Sequence, residues 1–154
     1  MIHRLKLKDA ISFYEFILRC KDVYEDFYVT SNKERKFFTD LKLIKKILKY
    51  QEVYAVEEKE IKALLLIYRE KNYRPYVKIL AEKIDCVYDL LKYVEWNINK
   101  EIFIKIKKIN PIAKILQRKR NWQFVGDRGQ EVLYVKKVRL EQEKKDDYNN
   151  RKIT

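Results

Sequence analysis

The chain opens on a short alternation, with Ile2, Arg4 and Lys6 on one side and His3, Leu5 and Leu7 on the other, and this predicts a first strand. At Asp9 the period lengthens. Ala10, Phe13, Tyr14 and Ile17 recur at helical spacing, so the segment from about Asp9 to Cys20 reads as an amphipathic helix. An acidic, aromatic connector, Asp22 to Val29, leads to Ser31 and Glu34, which have the spacing of a capping box. A second helix is therefore expected to run on to about Tyr50, burying Phe37, Leu41, Ile44 and Leu48.

From Glu52 the pattern is strand-like. Val53 to Val56 and Ile61 to Tyr68, joined by the polar run Glu57 to Glu60, read as an antiparallel hairpin. Ala63 to Ile67 is apolar on both faces, which predicts a central strand covered on both sides. Tyr76 to Ala81 extends the meander, and Asp85 is expected to cap a helix that buries Val87, Leu90, Leu91 and Val94. Lys100 to Lys107 then alternates Ile102, Ile104 and Ile106 with Phe103, Lys105 and Lys107. Pro111 suits the first turn of a short basic helix carrying Ile112, Ile115 and Leu116 and ending by Asn121. Trp122 to Val125 and Glu131 to Val138 are the last two strands, around a turn at Gly126 to Gly129. The order βααβββαβαββ predicts an α+β domain over residues 1–140. Its mixed sheet has about seven strands, antiparallel through the first four, with a parallel step across the helix that follows Tyr76 to Ala81 and helices on both faces. The polar segment from Glu141 to Thr154 lacks apolar periodicity and reads as a flexible tail.

Composition removes several chemistries. Only two glycines, Gly126 and Gly129, occur in 154 residues, so neither the GxxxxGK[ST] phosphate loop nor the GxGxxG dinucleotide turn can be written. One histidine, His3, and two distant cysteines, Cys20 and Cys86, supply neither a Cys/His zinc site nor a C-x-x-C pair, and buried free thiols are the expected state. His3 reads as an edge or surface residue of the first strand. The longest apolar run, Ala63 to Tyr68, is far short of the ~20 residues of a membrane span. With an N-terminus that has no h-region, the expectation is a cytoplasmic protein without membrane association.

Charge adds a partner. The formal net charge is +13. Twelve basic residues against three acidic ones lie between Lys100 and Arg139, making the C-terminal third the electropositive part. An anionic partner follows, whether coenzyme A, nucleic acid or an acidic protein.

One local pattern carries more. Asn110, Ala113, Leu116 and the Asn121-Trp122 pair, leading into Phe124-Val125-Gly126-Asp127-Arg128-Gly129, have the spacing of the segment that joins the fifth strand to the closing hairpin in the GNAT-family N-acetyltransferases. Together with the element order, the chain resembles that family to about Arg139. The resemblance implies acetyl-CoA or another acyl-CoA as cofactor, with its pantetheine between Tyr76–Ala81 and Lys100–Lys107. Ile79, Leu80, Ala81 and Lys83, then Asn110, Ala113 and Lys114, would be the residues against it. No metal is implied.

The departures are specific. Where the family carries a glycine-rich turn at the pyrophosphate, this chain has Ala81-Glu82-Lys83-Ile84-Asp85-Cys86. Gln117 stands at the position of the tyrosine that protonates the leaving thiolate, and Asn121 replaces a helix-ending glycine. Glu57, with Glu58 and Glu70, lies near strand ends where a general base sits in this fold, and Tyr54, Tyr68, Tyr73 and Tyr76 cluster around the meander, where an acceptor groove would be. Three readings follow: a divergent acyl-CoA-dependent N-acyltransferase with weak or no acetyl-CoA activity, a catalytically silent binding or structural subunit of a viral or ribonucleoprotein assembly, and a nucleic-acid binder using Trp122 and Phe124 beside Arg118 to Arg120.

Overall fold

A computed structural model describes residues 1–20, 40–69 and 74–138. The expected capping box at Ser31, the buried Phe37, the connector Asp22 to Val29, the residues Glu70 and Tyr73, and the tail lie outside the described residues.

The strands are β1 (Ile2–Arg4), β2 (Glu52–Glu57), β3 (Ile61–Arg69), β4 (Pro75–Ala81), β5 (Ile102–Lys107), β6 (Gln123–Arg128) and β7 (Glu131–Lys136). Among the described residues the helices are α1 (Ala10–Arg19), α2 (Leu41–Tyr50), α3 (Ile84–Asn97) and α4 (Pro111–Arg118). One seven-stranded sheet has the order β1-β2-β3-β4-β5-β7-β6. Its neighbours are antiparallel except β4 and β5, which run parallel because α3 carries the chain back across the sheet between them.

β3 decides the layering. Ala63, Leu65 and Ile67 point to the face covered by α3 and α4, where they join Val87, Leu90 and Ile112. Leu64 and Leu66 point to the opposite face and pack with Phe13, Phe16, Ile17 and Ile44 of α1 and α2. A third cluster, Tyr76, Phe103, Leu133 and Val135, extends that second face across β4, β5 and β7.

Four boundaries depart from the sequence reading. β1 stops at Arg4, because Asp9 accepts from the Lys6 N–H at 2.8 Å and starts a 3₁₀ turn at Leu7. α2 begins at Leu41, where Asp40 is extended and accepts from the Lys42 N–H. α3 begins at Ile84 after Lys83, so Asp85 is a first-turn residue and not the cap; its charge favours the helix dipole there. The final hairpin turns at Gly129-Gln130, since Asp127 and Arg128 pair with Val132 and Glu131. Gly129 takes φ 77°, a conformation that glycine adopts without strain, while Gly126 lies inside β6 beside a bulge. No helix of the described residues is long and apolar enough to cross a membrane.

Candidate functional site

The parallel step creates the feature of interest. Only Tyr76 and Phe103 are in register between β4 and β5, and no further pair carries the ladder toward Ala81 and Lys107. Backbone edges left without each other as partners are where an extended ligand can add hydrogen bonds. On the side of α3 and α4 the split is packed with Ile79, Ala81, Ile104, Ile106, Ile112 and Leu116, all at most 3% exposed. On the other side three cations lie over three rings: Lys78 over Tyr68 at 5.0 Å, Lys105 over Tyr76 at 5.9 Å, and Arg74 over Phe103 at 5.4 Å. Burial and the nearby Lys105 charge push Lys78 down to about 8, against an opposing pull from Glu131.

Where β4 passes into α3 the electrostatics are negative. Lys83 is the extended N-cap residue and supplies no side-chain cap. Burial pushes the Cys86 thiol up, and Asp89, Asp85, Glu58 and Glu82 push it further in that order. Arg19 approaches Glu82 to 3.4 Å and offsets part of this charge. A diphosphate at this helix end would meet four carboxylates, with no glycine to bring backbone N–H groups close.

α4 follows β5 through Asn110, whose Oδ1 accepts from the Ile112 N–H at 2.9 Å, and Pro111 occupies its first turn. Ile112, Ile115 and Leu116 turn toward the core. The opposite flank faces a groove of about 540 Å³. Lys108, Ala113, Lys114 and Gln117 form one wall, and Trp122, Phe124, Val132 and Tyr134 form the other.

No family model matches the sequence, and no curated protein matches it. Solved structures do match in fold. An N-acetyltransferase from Staphylococcus aureus is 14% identical, with 89% of this chain and 96% of that chain covered at a TM-score of 0.62. RimL, a ribosomal alpha-N-protein acetyltransferase in complex with coenzyme A, is 11% identical, with 89% and 93% covered at 0.63. The PaiA N-acetyltransferase from Thermoplasma acidophilum, also in complex with coenzyme A, is 10% identical, with 90% and 99% covered at 0.59.

The fold is that of the GNAT N-acetyltransferases.

Within this GNAT fold the residues singled out from sequence fall in four places. Ile79 and Ala81 are in the packed split, whereas Leu80 faces α1 and α2. Lys83 sits at the carboxylate-rich start of α3, and Asn110 is buried and occupied with its cap. Ala113, Lys114 and Gln117 come together in the groove, which no residue of β4 or α3 lines. Glu57 ends β2 and lies 2.6 Å from the His3 imidazole at the sheet edge, with β3 between it and β4. Cys20 and Cys86 are both free.

Sequence reasoning missed one buried arrangement. Glu95 on α3 accepts from the Trp122 Nε1–H at 2.9 Å and pairs with Lys119 at 3.0 Å. A carboxylate in the helix pattern between Val94 and the exposed Trp96 gave no sign of burial, and the only hint was the Lys-Arg-Asn-Trp sequence that packs against it on the same face of the sheet. The clamp removes Trp122 from any stacking role, since it is 4% exposed, and removes Lys119 from the free basic surface. Lys136 is also buried, donating to the Ile98 and Lys100 carbonyls at 2.7 and 3.0 Å.

Proposed function

We propose that this chain is a divergent GNAT-fold protein, active in the cytoplasm, with weak or absent acetyl-CoA turnover, that works chiefly by binding an anionic partner through its C-terminal third. The observation that carries the first half is the start of α3, where the charges of Glu58, Glu82, Asp85 and Asp89 all bear on Cys86, near the place at which a GNAT enzyme would hold a diphosphate. Two like-sign groups brought together there repel, and Lys83 with Arg19 neutralises only part of the charge. Support for the second half is the excess of exposed cations on and around α4 and the closing hairpin, among them Lys107, Lys114, Arg118, Arg120 and Arg128.

Calorimetry with coenzyme A, read together with amide protection over residues 84–87, tests the first half. The expected result is affinity no tighter than millimolar and no protection at the start of α3. Micromolar affinity with protection of those amides overturns it. Glu82→Gln with Asp85→Asn should raise whatever affinity exists, because it removes two of the repelling charges. For the partner, Gln at positions 114, 118 and 120 should abolish polyanion binding, and unchanged binding contradicts it.

A second reading, a slow acyl-CoA-dependent N-acyltransferase, is favoured by the split itself: the register between β4 and β5 lapses after Tyr76 and Phe103, which would leave room for an extended cofactor arm once the isoleucines moved. Micromolar coenzyme A affinity would select this reading.

A further inference from the structure

Phe124 is the exposed aromatic of the α4 groove. It stands on β6, the edge strand, 59% exposed, with its ring 5.7 Å from that of Tyr134 and inclined to it by 73°. This T-shaped contact holds the ring where it lines the groove. Across from it, α4 presents Lys114 and the Gln117 amide, and Lys108 also lines the groove. We propose that this groove binds a nucleotide unit of a single-stranded nucleic acid, with the base stacked on Phe124, its polar edge against the Gln117 amide and its phosphate held by Lys108 and Lys114. This rests on the anionic-partner reading and names the partner's chemistry.

Three features select a nucleotide over a plain anion. A purely anionic ligand has no use for an apolar wall of Phe124, Val132 and Tyr134, whereas a base is flat, apolar on its faces and polar at its edge. The amide of Gln117 both donates and accepts, as a base edge requires, and a helix position that carries no acid or base cannot serve proton transfer. The cations continue beyond the groove in Arg118, Arg120 and Arg128, so a strand of several phosphates matches the surface better than one mononucleotide. Lys108 is paired with Asp127 at 2.5 Å, but both side chains are about half exposed, and an exposed pair of this kind exchanges readily for a phosphate. With Trp122 clamped by Glu95, the groove offers one stacking platform, and hence room for one base.

The test is fluorescence anisotropy of the full chain with a labelled ten-residue thymidine strand, with AMP and a deca-glutamate peptide as competitors. Phe124→Ala should weaken strand binding about 5- to 150-fold, the range of one lost stacking contact, and Phe124→Trp should restore it. Lys114→Gln should reduce the slope of log affinity against log salt by about 0.7. Strand binding indifferent to Phe124→Ala overturns the proposal, as does AMP displacing the strand at equal molar concentration, which assigns the groove to a free nucleotide. If deca-glutamate binds and the strand does not, the nucleotide proposal fails while the anionic-partner reading survives. If neither binds, both fail.

Discussion

Tyr76 on β4 stands opposite Phe103 on β5 with the ring centroids 5.6 Å apart, and this pair is the single point of register between the two parallel strands. Tyr68 stacks on Tyr76 from β3 at 6.0 Å, and the Arg74 guanidinium covers Phe103. Four antiparallel strands on one side and three on the other are therefore joined in register through one aromatic contact.

Phe103→Ala should cost about 3–5 kcal/mol, as for other buried phenylalanines, because the ring is 7% exposed. Urea unfolding checks the loss. Amide exchange should rise first in β4 and β5; uniform acceleration across the sheet would contradict the localised role.

Removing the Glu95 carboxylate should be comparably severe. Glu95→Ala leaves the Trp122 N–H and the Lys119 ammonium without their acceptor, a loss of about 3 kcal/mol. Tryptophan fluorescence should shift as Trp122 gains water. A variant as stable as the parent would show that the clamp contributes little.

Lys78 gives a pH signature. Its folded-state value lies near 8, below the ordinary 10.5, so between these values the unfolded chain holds the proton that the folded chain has released. Stability must then rise with pH across that window relative to a Lys78→Met variant, by on the order of 1–2 kcal/mol after allowance for solvent screening. Denaturation of both proteins at several pH values measures it, and a constant difference would contradict the shift.

Both thiols should be inert in the native state. Burial, with Glu82 adding to it, pushes Cys20 up to about 12, and Cys86 is raised by burial and its carboxylate neighbours. Native protein at pH 8 should leave a chromogenic thiol reagent unreacted, and unfolded protein should release two equivalents. Rapid native labelling of Cys86 would show the carboxylates to be less effective than argued.

The sheet was legible in sequence because the strands differ in kind. β3 is apolar at every position from Ala63 to Ile67, β5 sets Ile102, Ile104 and Ile106 against Phe103, Lys105 and Lys107, and a helix-length segment between β4 and β5 requires a parallel step. Helix starts were less legible: Asp40 and Lys83 precede their helices, yet Asp85 has equal capping chemistry, and only backbone geometry separates a cap from a first-turn acid. The candidate site was legible in part. Ala113, Lys114 and Gln117 meet because they share one flank of α4. Which flank faces β6 depends on the packing of Ile112, Ile115 and Leu116 into the core, and the position of Glu95 beside Trp122 depends on two elements distant in sequence.

The most direct measurement is thiol release from acetyl-CoA over a panel of amines, for the wild type and for Gln117→Tyr. Transfer without general-acid help is slower by a factor of ~10²–10⁴, and a poorly held cofactor adds to that. The account predicts turnover at or below ~10⁻¹ per second. It also predicts no rescue by the tyrosine, since position 117 opens on the groove beside β6 and not on the split. Wild-type turnover of ~1–10³ per second on any amine would contradict it.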